Sequence, residues 1–93
     1  MAYVKGELVM AIPRIGGATS AVFMYNSADA ATTVRVSGYI TDGNARGMRI
    51  GDIVIQSDRA GATVGHIYTV VSVTNNGAAD LGDGVAIDVT DSD

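Results

Sequence analysis

The sequence predicts an all-β fold, a small barrel or sandwich with at most one short helix near residues 28–36, and three observations lead there. Valine, isoleucine and threonine are abundant while Leu8 and Leu81 are the only leucines, a bias that suits a pleated surface better than a helix. Glycine recurs along the whole chain, and Asp42-Gly43, Asn75-Asn76-Gly77 and Asp83-Gly84 place turn chemistry between short apolar runs. The 93 residues make one domain, 1–93, because so short a chain has room for a single core.

Val4, Gly6, Leu8, Met10 and Ile12 alternate with Lys5 and Glu7, so a first strand with one apolar face is expected from Val4 to Ile12. Pro13 lacks a ladder donor and Gly16-Gly17 follows, so the chain leaves that strand in a loop near Arg14. Ala21 to Tyr25 is the second strand. Between Ser27 and Ser37 two readings stand: Thr32, Thr33, Val34 and Val36 are β-branched, whereas Ala30, Ala31 and Val34 share helical spacing. The helix is favoured, with Ser27 as its cap, Asp29 in its first turn and Gly38 at its end. Tyr39-Ile40 resumes extended chain, Gly47 to Asp52 is a tight connection in which Gly51 can take positive φ at little cost, and Ile53 to Ser57 is a strand. After the Ala60-Gly61-Ala62 loop, His66 to Thr74 is the longest β run. The last strand points Val85, Ile87 and Val89 one way and Asp88 and Thr90 the other, and residues 91–93 fray.

Composition excludes several functions. A net charge of −4 with no basic run argues against nucleic acid, whose affinity rests on neutralised phosphates. The apolar runs fall well short of the roughly 18 residues that cross a bilayer, so no membrane partner is expected. Lys5 and Glu7 interrupt Met1 to Ile12 where a secretory leader needs unbroken apolar chain. With no cysteine, neither disulfides nor a thiolate metal centre support the domain, and packing or assembly must supply its stability.

Catalytic and metal motifs find little to rest on. His66 is the one imidazole available to a nucleophilic triad or a zinc site, and at a loop-to-strand junction its ordinary role is that of an exposed or a hydrogen-bonded structural histidine. Asp80, Asp83 and Asp88 give an oxygen-rich stretch, Asp80-Leu81-Gly82-Asp83-Gly84, without the ligand spacing of a calcium loop. Asp83-Gly84 reads instead as the turn launching the last strand. Gly16-Gly17-Ala18-Thr19-Ser20 has no lysine and precedes a strand, so it is a loop and not a phosphate cradle. No catalytic residue and no cofactor are expected. Four of the six basic residues, Arg35, Arg46, Arg49 and Arg59, fall in one stretch and are candidates for a partner interface or for solvated surface charge. Tyr3 and Val4 join the interface candidates as part of an N-terminal arm, residues 1–8, that could add a strand to a neighbour.

The string Tyr25-Asn26-Ser27-Ala28-Asp29, then Val34, then Gly38-Tyr39-Ile40, then Met48-Arg49-Ile50-Gly51-Asp52-Ile53-Val54 resembles a loose family of short tailed-bacteriophage proteins, the head-decoration or fibre-like virion accessory proteins. The resemblance covers about the middle third of the chain, and the Ala30-Ala31-Thr32-Thr33 stretch departs from it by lacking a leucine in the short helix. It implies a non-enzymatic virion component, assembled in the host cytoplasm and displayed in many copies. Such a protein forms homo-oligomers, trimers above all, that bind the major capsid protein or another virion protein as decoration or cement. A fibre or tail component is equally compatible with the likeness. The contrasting expectation is a small ligand- or carbohydrate-binding module, which needs Tyr3, Tyr25, Tyr39 or Tyr68 to form a coplanar exposed platform.

Overall fold

A computed structural model describes Tyr3, 5–13, 20–59, 61, 64–75 and 77–87. The fold is mostly β, as expected. The strands are β1 Leu8–Ile12, β2 Val22–Asn26, β3 Ile53–Ser57, β4 Gly65–Val73, β5 Ala79–Leu81 and β6 Val85–Ala86, with one helical turn, α1, at Ala31–Val34. They form a single mixed sheet in the order β1-β2-β3-β4-β5, and β6 also pairs with β4. All neighbours are antiparallel except β2 and β3. A parallel pair needs a long crossover, and residues 27–52 provide it.

The crossover covers one face of the sheet and builds the core. Leu8, Phe23, Tyr25, Val54, Tyr68, Val70 and Leu81 point inward and meet Val34, Ile40 and Met48 from the crossover. Its entry is held by Gln56, whose Nε2 donates to the carbonyls of Ser27 at 3.0 Å and Asp29 at 2.7 Å, while Tyr68 donates to Gln56 Oε1. Its exit is held by the buried Asp52 carboxylate, which accepts from Ala21 N at 3.1 Å and Arg49 N at 2.9 Å. Gly51, at φ +93°, takes the left-handed turn expected of it.

The same crossover joins the two ends of the strand path. Ala79 N of β5 donates to Ile40 O at 3.0 Å and Asn44 N to Gly77 O at 3.1 Å, while Arg46 Nη1 reaches Leu8 O of β1 at 3.4 Å. The covered face is thereby closed off at both edges by the crossover. The closure depends on Gly43, where an added Cβ would lie 2.8 Å from Ala79 N.

Four local expectations are corrected. Lys5–Glu7 is a 3-10 turn and the first strand begins only at Leu8. Met10 and Ile12 are exposed, and a bulge between them sets Ile12 opposite the outward-facing Val22. Ser27 does not cap the helix: its Oγ accepts from Asp29 N in a local turn, and α1 starts at Ala31 behind Ala30, which offers no side-chain cap. The segment 79–81, for which the sequence predicts no strand, is β5, and the last strand is two residues long with Val85 exposed at 70%. Asp88, Val89, Thr90 and residues 91–93 lie outside the described residues.

Candidate functional site

The residues singled out from sequence are largely engaged within the chain. Tyr3 donates to Asp42 Oδ1 at 2.5 Å, Arg46 Nε donates to Asp42 Oδ2 at 3.1 Å, and the Tyr3 ring packs on Tyr25 and Tyr39. Burial, with the bond to Asp42, raises the Tyr3 phenol well above its ordinary pKa. Burial alone would raise the Asp42 carboxyl, but the hydrogen bonds from Tyr3 and Arg46 prevail and hold it below the usual value. Tyr39 donates to Asp29 Oδ2 at 2.5 Å and lies 2.7 Å from the Tyr25 hydroxyl. With its own proton on Asp29, Tyr39 accepts from Tyr25; burial first, then these bonds, raises the Tyr39 phenol strongly.

The four arginines engage separate parts of the fold. Arg35 Nε lies 3.6 Å from Asp83 at the surface, Arg46 is tied to Asp42 and Leu8, and Arg49 and Arg59 are exposed. Val4 lies outside the described residues, as do 14–19 of the glycine loop. The three tyrosines Tyr3, Tyr25 and Tyr39 do cluster, but their planes meet at 38°, 66° and 76°, and Tyr25 and Tyr68 are buried. They line the core and present no flat platform. His66 is buried as well: its Nε2 donates to Asp83 O at 2.7 Å and its ring stacks 4.5 Å from Tyr68, so it pins the turn that starts β6. Asp80 sits on β5 opposite Ser72, away from the turn that holds Asp83. Among the described residues no three His, Asp or Glu side chains converge as metal ligands.

The feature that sequence reasoning missed is the outer face of the sheet. Strand register places Val9 opposite Met24, Met24 opposite Ile55, Ile55 opposite Ile67, and Ile67 opposite Val85. This is one apolar row across five strands. Beside it runs a second row, Ile12, Val22, Ile53 and Thr69. Paired residues share a face, and the opposite phase of the same strands fills the core, so both rows point outward. Val9 and Ile12 are 55% exposed, and the outward positions of β1, β2, β3, β4 and β6 carry no ionisable side chain among the described residues.

Polar residues bound this face. Past the β4 bulge at Val70/Ser72 stand Ser72 and Asp80. At the other end a groove of about 260 Å³ is lined by Gly6, Glu7, Val9, Met24, Asn26 and Arg59 among others. Asn26 fixes its rim, donating to Glu7 Oε2 at 3.0 Å and accepting from Arg59 N at 2.9 Å. An apolar centre within a polar rim is the anatomy of a protein interface, whereas the free face of an ordinary antiparallel sheet alternates to polar side chains. The sequence signal was present in Val22-Phe23-Met24-Tyr25, Ile53-Val54-Ile55 and Ile67-Tyr68, runs apolar in both phases that denote burial on both sides.

No protein family, curated protein or solved structure matches the chain.

Proposed function

We propose that this chain is a non-enzymatic structural protein of a tailed-phage virion, a decoration or cement module that acts by burying the outer face of its sheet in an assembly. The observation that carries the reading is the uncharged apolar row Val9, Met24, Ile55, Ile67 and Val85 on an otherwise complete fold. An exposed apolar face rimmed by polar groups marks an interaction surface. The phage-like string from Tyr25 to Val54 supplies the biological setting. Its residues have structural work in this fold: Asp29 receives Tyr39 and Asp52 ties the crossover to β2. A virion lattice suits so small a domain, because binding the folded state alone adds stability by mass action.

Particle composition tests the reading. Gradient-purified particles from the source host are expected to contain the chain in many copies, and particles lacking it to release their genome at lower temperature until purified chain is added back. Absence from the particles, or an unchanged release temperature with no binding, overturns it.

A further inference from the structure

We infer that the occupant of the outer face is a second copy of this chain, like face against like face; this rests on the assembly reading above and adds the identity of the partner. The chain carries ten acidic and six basic residues, so two copies carry like net charge and repel at long range. The outward positions of β1, β2, β3, β4 and β6 are free of charge among the described residues, which makes this face the place where two acidic copies approach without opposing like charges. A partner selected by its own charge, of either sign, would find no complement there. Among the described residues the other large exposed apolar side chains are Met10, Val36, Ile50, Val71 and Ile87, each from a different segment, so the extended apolar row that another copy offers there is this same face.

Geometry agrees with the pairing. Two sheets pack about 10 Å apart with their side chains interdigitated, and a face of Val, Ile, Met and Thr is what the inside of such a sandwich contains. Each chain supplies one uncovered sheet, and the second copy supplies the layer it lacks. Five strands at about 4.8 Å spacing and five residues along β2 and β3 give a face about 20 Å by 13 Å. That is the apolar centre of an interface smaller than the usual ~800 Å² per partner. Free association is therefore concentration-dependent, strengthened when many copies are held together.

Sedimentation equilibrium of the purified full chain, with Ile67→Lys and Val36→Lys variants alongside, tests this. Ile67 stands within the apolar row, between Ile55 and Val85, whereas Val36 follows α1 on the segment that covers the opposite face. Wild type and Val36→Lys are expected to associate as protein concentration rises. Ile67→Lys is expected to stay monomeric with unchanged circular dichroism, its association weakened at least about a hundredfold by a charge placed in an apolar contact. The chain has no cysteine, so an Ile67→Cys variant can be crosslinked with a bis-maleimide even if the lysine variant misfolds. Crosslinked multimers are expected for Ile67→Cys and not for Val36→Cys. A monomeric wild type at every concentration, or equal crosslinking at both positions, overturns the inference. A monomer that is nonetheless lost from particles by Ile67→Lys leaves the assembly reading intact with another partner, whereas absence of the wild-type chain from particles removes that reading whatever its mass.

Discussion

Replacing Gln56 by leucine tests the physical centre of the fold, because this one side chain fastens the crossover to the sheet. Gln56 is fully buried, donates to two carbonyls and accepts from the Tyr68 hydroxyl. Leucine fills much of the volume but leaves three polar groups without these partners in a dry interior. At about 1–3 kcal/mol per stranded group, and less for carbonyls that keep a second lone pair in use, the loss is about 3–5 kcal/mol. A domain of this size has about 5–15 kcal/mol in total. Tyr68→Phe alone strands only the Gln56 oxygen and costs about 1–2 kcal/mol. In the double variant the phenol that leucine had stranded is gone, so the combined loss falls short of the sum by about 1–2 kcal/mol. Urea unfolding followed by circular dichroism measures all four proteins. Additivity within about 0.5 kcal/mol, or a Gln56→Leu loss below about 1 kcal/mol, would refute the account of Gln56 as the anchor.

Three further outcomes follow from the closure of the sheet and from its buried phenols. Gly43→Ala forces a methyl group against Ala79 and is expected to cost about 2–4 kcal/mol by overpacking. Gly38→Ala, at φ +89° but with open space around it, costs only the left-handed backbone penalty of about 1–2 kcal/mol, and thermal unfolding separates the two. Asp42 has a depressed folded pKa, so the stability it contributes is present above its unfolded pKa and lost as pH falls through the folded value. Melting temperature should therefore decline on acidification below about pH 4, and Asp42→Asn should flatten that decline. Burial pushes the Tyr68 phenol up to about 12. Its contribution is then complete below the unfolded value near 10 and lost between there and about pH 12, a loss that Tyr68→Phe should remove in an alkaline titration of stability.

The strands that alternate against the core were legible because their period and their punctuation agree. Ile53 to Ser57 is reproduced residue for residue, and the β4 and β2 segments are displaced by one. The first strand misled because Val4, Gly6, Leu8, Met10 and Ile12 satisfy a period of two, while the bulge after Met10 reverses which face Ile12 occupies. A bulge leaves no mark in an apolar run. β5 was hidden because Asp80 and Gly82 resemble turn chemistry and the strand is only three residues long; its pairing with β4 is a local hairpin, whereas the bridge from Ile40 is remote in sequence. The parallel pairing of β2 with β3 is a tertiary fact of the same kind. Of the candidate site, the arginines and tyrosines drew notice as residue types, yet most of them serve the chain's own structure. The outer face requires strand register before five separate apolar residues become one row.

A sequence normally reports its own solvent face by placing polar side chains there, so an apolar solvent face is a conflict between local pattern and isolated fold. Here the conflict is confined. The inner face is satisfied throughout, with no buried side-chain nitrogen or oxygen left unpaired among the described residues, and the rim is polar at both ends. Between them the apolar outward positions fall in register over five strands, whereas the other large exposed apolar residues stand singly. Weak folding would scatter such departures across the core and the turns. Their alignment in one row, with charge kept out of it, is the pattern expected when the missing layer of the structure is supplied by another molecule. In that case substitutions on the row change association while leaving monomer stability nearly untouched, and substitutions one residue away, at Val54 or Tyr68, do the reverse.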